Sequence, residues 1–244
     1  MKAMVLAAGM GMRMGGLTLD RPKPMLEVNG TPILGHIFRN LSKHGFDDVA
    51  VNLHHHPEAI RDFFGDGIRW GVRIRYFPES TLLGTAGGVK NAEEFFEGES
   101  VFLVHYGDIV TDQSLSAMLA FHRVRDAEAT LLLHERAKSN SVVEMGAERR
   151  ILRLWERPSA EDEARLRARS SWVNSGIYLF GPSFFAGVSP CAPSDIPRDV
   201  LPAMIARGRV FGFPLVGYRC AVDSPERLAK VREDLCSLGR TANT

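Results

Sequence analysis

Between Leu6 and Leu26 the chain reads Leu6-Ala7-Ala8-Gly9-Met10-Gly11-Met12-Arg13, then Leu17-Thr18, then Arg21-Pro22-Lys23-Pro24-Met25-Leu26. The two glycines let backbone N–H groups come close to an oxyanion, and Arg13 adds a forked cation. Pro22 and Pro24 fix the local φ, so Lys23 is presented from a stiff segment. These residue types at this spacing suit the handling of a polyphosphate. A bare glycine-rich turn is as often structural, but Arg13 and Lys23 tip the reading towards phosphate. No G-x-x-x-x-G-K-[ST] occurs, which argues against a P-loop, and Met14 stands where the dinucleotide fingerprint needs its third glycine.

Elements must carry those residues to one place. Ala3–Ala8 reads as a buried parallel strand. Thr31-Pro32 opens a helix to about His44, with Ile33, Ile37, Phe38 and Leu41 at helical spacing and Gly45 as its stop. Asp48–Asn52 is a second strand, Pro57–Phe64 a second helix and Val72–Tyr76 a third strand. Leu83-Gly84-Thr85-Ala86-Gly87-Gly88 opens a helix through Phe96, and Val101–Val104 is a strand that ends in His105-Tyr106-Gly107-Asp108. Further on, Ser114–His122 reads as a helix, and Ala129–His134, Ser141–Met145 and Ile151–Trp155 as strands. Ala160–Arg169 reads as an exposed helix laced with acid–base pairs at i,i+4 spacing, a solvated face in the plainer reading and a flap or subunit contact in the other. Val173–Phe180 and Phe211–Gly217 are strands, and Asp199–Ala206 and Pro225–Leu238 are helices.

Alternating strands and helices with short connections predict an α/β fold: a doubly wound, Rossmann-like, mixed and mostly parallel sheet flanked by helices. Ligands of such sheets bind beyond the carboxyl ends of the strands. The Gly9–Arg13 turn and Asp108 both lie there, so they can converge although about a hundred residues separate them.

A chain of 244 residues accommodates one large α/β domain or two small ones. Its 45% hydrophobic and 24% charged residues describe an ordinary globular protein. A net charge of +1 gives no sign of a surface for nucleic acid. Cys191, Cys220 and Cys236 are odd in number and form no C-x-x-C pair, which suits reduced thiols in a cytosol. A strand beginning at Ala3 leaves no room for a signal peptide, and no apolar stretch approaches the roughly 20 residues of a membrane span. A soluble, cytoplasmic protein is expected. There is no internal repeat, and in particular no hexapeptide repeat near the C-terminus.

The Leu6–Leu26 segment resembles the L-A-A-G-x-G-T-R-L-x-P-L-T, spacer, P-K-P-M/L signature of the sugar-1-phosphate nucleotidyltransferases, or NDP-sugar pyrophosphorylases. The resemblance runs in motif order from Lys2 to about Leu228. It implies one nucleotidyltransferase domain over 1–238, with a nucleotide-binding part at about 1–112, a sugar-binding part at about 113–238 and a tail at 239–244. It also implies a nucleotide-diphospho-sugar transferase type of fold. The implied reaction joins a nucleoside triphosphate and a sugar 1-phosphate, with Mg2+ as cofactor, and a homodimer is compatible with it.

Residue by residue, the resemblance implies that Arg13 holds the β and γ phosphates, and that Lys23 reaches the α-phosphate and the acceptor's phosphate. Leu6, Ala8, Gly9 and Gly11 would contact nucleotide and phosphates, with Ala8 against the base. Leu83-Gly84-Thr85-Ala86-Gly87 resembles the family's L-G-T-A-G beside base and ribose, which places Gly84 and Thr85 there; standing alone it reads as an ordinary helix start. Glu79 lies where relatives place a residue that reads the base edge. Tyr106-Gly107-Asp108 resembles x-G-D, with Asp108 on metal and Gly107 against the sugar; a lone strand-end Asp is otherwise a cap or turn former. Glu156-Arg157-Pro158 is similar to E-K-P and Asn174-Ser175-Gly176-Ile177-Tyr178 to N-A/S-G-I-Y, so Glu156 and Asn174 would hold sugar hydroxyls.

The chain departs from the family pattern in three places. Met12, Met14 and Gly16 replace the usual Thr, Leu and Pro. Ser194–Pro202 lacks the glutamate of S-x-E-x-D-V-x-P. The W-x-D-I-G-T-P-E ending reads Cys220-Ala221-Val222-Asp223-Ser224-Pro225-Glu226, with Ala221 where the second metal ligand stands. Asp223 either takes that role or caps the closing helix. His54-His55-His56 looks like a metal cluster, yet neighbouring histidines at a strand end point in different directions. L-G-T-A-G wording tilts the base towards guanine and the acceptor towards mannose or D-glycero-D-manno-heptose 1-phosphate. The other readings are a cytidylyltransferase for a small phosphorylated or phosphonate acceptor, and a non-catalytic homologue that binds nucleotide sugars. Glu156 and Asn174 count against the first of these, and Arg13, Lys23 and Asp108 against the second.

Overall fold

In the computed structural model, which describes residues 1–137, 139–190 and 192–241, the apolar run after Met1 forms β1 (Lys2–Leu6). A short ribbon of β2 (Glu27–Val28) and β3 (Thr31–Pro32) leads into α1 (Ile33–Lys43). Next come β4 (Asp48–Leu53), α2 (Pro57–Phe64), β5 (Arg73–Pro78) and α3 (Gly84–Asn91). They are followed by β6 (Phe102–Tyr106), β7 (Ile109–Thr111) and α4 (Leu115–Val124), the last capped by Ser114. The second half contains β8 (Ala129–Glu135), β9 (Ser141–Met145), β10 (Ile151–Glu156), α5 (Ala160–Arg167) and β11 (Trp172–Phe180). It closes with α6 (Ser183–Ala186), α7 (Leu201–Ala206), β12 (Val210–Pro214), β13 (Arg219–Ala221) and α8 (Pro225–Thr241).

Seven strands make the central sheet in the order β12-β8-β11-β6-β1-β4-β5. β1 runs parallel to β4 and β6, as do β4 to β5 and β8 to β12, while β11 is antiparallel to both of its neighbours. The mixed, mostly parallel α/β sheet expected from the sequence is the one that forms. Side chains alternate across it. Ala3 and Val5 face the layer containing Ile33, Ile37, Phe38 and Leu41 of α1, whereas Met4 faces Ala86 and Val89 of α3. Both faces are therefore covered, which is why β1 is apolar without a period.

Several boundaries differ from the sequence reading for local reasons. β1 stops at Leu6 because the Ala7 N–H goes to Asn52 Oδ1 at 2.8 Å, not to a neighbouring strand. The helix expected through Phe96 ends at Asn91, and a 3-10 turn at Glu93–Phe96 follows. The helix expected from Asp199 begins as a π turn, Ile196–Val200; Pro202 has no N–H to give, and the regular ladder restarts at Leu201. The closing helix extends past Leu238 to Thr241, so it takes up part of the expected tail; residues 242–244 lie outside the described residues. Cys220 and Cys236 are free thiols, and Cys191 lies outside the described residues. Among the described residues no helix is long and apolar enough to cross a membrane.

Two pairings aim the chemistry. Leu6 stands opposite Tyr106, and the Gly107 N–H bonds to the Leu6 carbonyl at 2.9 Å, so the turns after β1 and β6 emerge side by side. A Cβ on Gly107 would stand 2.6 Å from that carbonyl oxygen, which explains the glycine. The second pairing was not foreseen: β7 and β13, three residues each, form an antiparallel ribbon with Ala221 opposite Ile109. Val222 N then donates to the Asp108 carbonyl at 2.8 Å, bringing the end of the chain to the tip of β6.

Candidate active site

The loop after β1 turns at Gly11 (φ 67) into a 3-10 segment, Met12–Thr18. A Cβ on Gly11 would lie 3.1 Å from Lys23 Cβ and 3.2 Å from Thr18 Cγ2, so the turn closes against the stiff Pro22–Pro24 segment. Two of the three histidines hold the far side of this loop. His55 and His56 use Nε2 on the Thr18 and Leu19 carbonyls at 3.2 and 2.9 Å, and His54 uses Nδ1 on the Glu79 carbonyl at 2.8 Å. Their rings are committed to backbone in three directions, not to one centre.

Lys23 Nζ lies 2.5 Å from Asp108 Oδ2, with both side chains mostly buried. Burial pushes the Asp108 carboxyl up, but the Lys23 charge and hydrogen bond, helped by Arg219 and Arg13, hold it below the usual carboxylate range. Arg13 is more open, its side chain 69% exposed, and its Nη1 stands 3.6 Å from Asp223 Oδ2. Asp223 also faces Arg227 Nε at 3.5 Å. It does not cap α8: Ser224 does that, with its Oγ accepting from Arg227 N at 3.4 Å and its carbonyl from Leu228 N at 3.0 Å. Two carboxylates, one from mid-chain and one from near its end, and the two loop cations thus gather at the carboxyl end of β6.

The cleft there has two joined compartments, and Thr85, Tyr106, Asp108 and Asp195 line both. The smaller, about 310 Å³, is bounded by Leu6, Ala8 and Gly9 on one side and by Glu79, Gly84 and Thr85 on the other, with Lys23 and Gly107 at its mouth. Gly11 lines neither compartment and acts in the turn. Glu79 is fixed by both oxygens, which accept from Asn52 Nδ2 at 2.7 Å and Leu83 N at 3.0 Å. Asn52 in turn accepts from Ala7 N, so a buried chain of bonds joins the Glu79 side of the compartment to the glycine loop.

Gly84 and Thr85 also staple the two halves of the chain. Ala86 and Gly87 N–H groups bond to the Ser194 carbonyl at 2.9 and 3.2 Å, and Thr85 Oγ1 accepts from Ile196 N at 2.8 Å. Gly84 has φ 74, and a Cβ there would stand 2.4 Å from the Ser194 carbonyl oxygen. Gly84→Ala is therefore expected to cost about 2–4 kcal/mol, from left-handed strain plus overpacking against backbone, read as a lower denaturant midpoint.

The larger compartment, about 860 Å³, is lined by Arg13, Asp108 and Asp223 at one end and by Glu156 and Asn174 at the other. Glu156 ends β10, opposite Ser141. Burial, with Asp195 nearby, pushes its carboxyl up to about 7 against the pull of Arg157 and Arg198. Asn174 sits at a bulge in β11 made by Gly176 (φ 74). Its Oδ1 accepts from Gly176 N at 3.1 Å, and its Nδ2 donates to Tyr178 Oη at 2.6 Å, so its amide is locked in orientation. The charged helix α5 is not only a solvated face, since Ala160, Glu163 and Ala164 form one wall of this compartment. One acid–base pair on it, Asp162–Arg165 at 3.0 Å, has i,i+3 spacing.

Sequence reasoning missed Asn52, Tyr106, Asp195, His134 and Arg219. Asp195 lies in the stretch that lacks the family's glutamate, and it accepts from Thr85 Oγ1 at 3.2 Å. Arg219 is half-buried on β13 and lines the larger compartment.

A family model described as nucleotidyl transferase matches residues 2–215. The chain is 34% identical over 225 residues to UTP–glucose-1-phosphate uridylyltransferase of Synechocystis sp., covering 86% of this chain and 57% of that protein. It is 28% identical over 230 residues to the mannose-1-phosphate guanylyltransferase catalytic subunit beta of Dictyostelium discoideum, covering 93% and 62%. The chain thus spans about three fifths of the length of these curated relatives. Among solved structures, HddC from Yersinia pseudotuberculosis complexed with GMP-PN superposes with a TM-score of 0.78 at 21% identity, over 96% of this chain and 99% of that one.

Proposed function

The chain belongs to the nucleotidyl transferase family, and from that premise we propose that it transfers a nucleoside monophosphate from a nucleoside triphosphate to a sugar 1-phosphate, releasing pyrophosphate. The observation that carries this reading is the convergence of Lys23, Arg13, Asp108 and Asp223 where the two compartments meet. The smaller compartment suits the nucleoside and the larger a sugar. A phosphate oxygen of the acceptor attacks the α-phosphorus, the bond to the β-phosphate bridging oxygen breaks, and pyrophosphate carries away the electron pair. No covalent enzyme intermediate is needed. Lys23 neutralises the α-phosphate and the incoming phosphate, and Arg13 holds the β and γ phosphates. The locked amide of Asn174 and the carboxylate of Glu156 orient the sugar.

The donor set fits Mg2+. Asp108 and Asp223 offer hard oxygens, the one or two carboxylates that this ion takes beside phosphate oxygens and water. When bound there it would supply charge neutralisation.

The base and sugar are proposed as guanine with mannose 1-phosphate or D-glycero-D-manno-heptose 1-phosphate. The support is the Leu83–Gly87 wording and the several curated relatives named for mannose-1-phosphate. The 34% relative favours a second reading, UTP with glucose 1-phosphate. Pyrophosphate release measured for each nucleoside triphosphate against a panel of sugar phosphates tests both: the highest kcat/KM is expected with GTP and a manno-configured acceptor. Silence with every pair would overturn the transferase reading.

One pH effect follows from Glu156. Protonated, it loses an acceptor for sugar hydroxyls; its carboxyl titrates at about 7. The KM for the sugar phosphate is therefore expected to fall about three- to tenfold as pH rises from about 6 to 8. Glu156→Gln, which cannot titrate, should flatten that profile; an unchanged slope in the variant would assign the titration to another group.

A further inference from the structure

We propose that Arg219 is a second cation, beside Lys23, that receives the phosphate of the acceptor, an assignment that rests on the transferase reading above. Arg219 opens β13 opposite Thr111, one ribbon away from Asp108. Its Nη2 donates to the Ser175 carbonyl at 2.9 Å, while its Nε–H is buried without a hydrogen-bond partner. No carboxylate among the described residues forms an ion pair with it; Asp108, the acid whose charge acts on it, pairs with Lys23. A half-buried guanidinium with no carboxylate partner and with one buried N–H short of an acceptor is costly, and folded chains rarely keep one unless something supplies the acceptor.

The position of Arg219 says what that something is. It lines the larger compartment and not the smaller, so it serves the acceptor side and not the nucleoside. In that compartment it stands on a strand adjoining Asp108 and is tied to Ser175, the neighbour of Asn174. A sugar held by Glu156 and Asn174, with its 1-phosphate directed at the reacting centre, brings the phosphate to this side chain. Ser175 braces both flanks: its carbonyl fixes Arg219 and its hydroxyl meets His134 Nδ1 at 2.8 Å. His134 stays neutral, since burial and the nearby arginines push it down to about 4, so the guanidinium supplies the charge at this brace. Arg157 lines the same compartment but is 71% exposed and turned to Glu156 at 4.0 Å.

The test is the steady-state kinetics of Arg219→Gln and Arg219→Lys with the best substrate pair. Arg219→Gln is expected to raise the KM for the sugar phosphate about 10- to 100-fold while the KM for the nucleoside triphosphate stays within about twofold. Arg219→Lys, which keeps the charge but not the fork, should recover part of the loss. An unchanged KM for the sugar phosphate in a natively melting variant, or equal rises for both substrates, would overturn the assignment. If the glutamine variant does not fold, the lysine variant decides, and wild-type values for both substrates there would make Arg219 structural. Thermal melting in millimolar inorganic phosphate separates this proposal from the transferase reading. A wild type that is stabilised by phosphate but turns nothing over, beside an Arg219→Gln protein that phosphate does not stabilise, keeps the cation and sinks the transferase reading. Equal stabilisation of both proteins, together with an unchanged sugar-phosphate KM in the variant, sinks the cation.

Discussion

Lys23→Ala is expected to reduce pyrophosphate release by about 10²–10³-fold, the equivalent of about 3–4 kcal/mol of transition-state stabilisation, with native secondary structure retained. Lys23 also neutralises a mostly buried carboxylate at 2.5 Å, so the same change leaves Asp108 unpaired and lowers stability. The two effects separate in a double variant. Lys23→Met with Asp108→Asn removes both charges at similar volume, and its unfolding free energy should return to within about 1–2 kcal/mol of the wild type. Its turnover should remain at background. Recovery of turnover together with stability would mean that Lys23 matters only as the counter-ion of Asp108.

Acid titration adds an independent check on that pair. The folded pKa of Asp108 lies below its ordinary value, so its stabilising increment is complete above the unfolded carboxylate range and disappears as pH falls through the folded value. Lys23→Ala should therefore weaken the fold most at neutral pH and least in acid. A constant difference across the titration would place the loss elsewhere.

What the sequence revealed was what runs along the chain. The Leu6–Leu26 text suggests its chemistry because glycines, arginine and proline-locked lysine fall within one short stretch, and the strands of the sheet show as bounded apolar runs or, in β5, as alternation. The sequence could not show what arises only across the chain. The β7–β13 ribbon is three residues a side, too short for a period, yet it delivers Asp223 and Arg219 to the site. Asn52 and Asp195 have no local signature; each becomes legible only as a partner, Asn52 of Ala7 and Glu79, Asp195 of Thr85. The histidine run illustrates the converse: three conspicuous residues whose rings are occupied by the carbonyls of Thr18, Leu19 and Glu79.

The departure at Ala221 leads to the other large effect. The family's second carboxylate position holds alanine here, and the sequence left Asp223 divided between that role and a helix cap. Ser224 makes the cap contacts, so Asp223 is free of that duty and faces Arg13 and Arg227 instead. Val222 N bonds to the Asp108 carbonyl, which holds the segment against the tip of β6. Asp223→Asn is accordingly expected to lower kcat by about 10²-fold and to raise the Mg2+ concentration needed for half-maximal rate, with melting temperature little changed because its ion pairs are partly solvated. Adding a carboxylate back at the family's position, as Ala221→Asp in the Asp223→Asn background, should restore part of the rate and of the Mg2+ response. A cap-only residue would show the reverse pattern: a lower melting temperature, an unaltered Mg2+ response and no rescue from position 221.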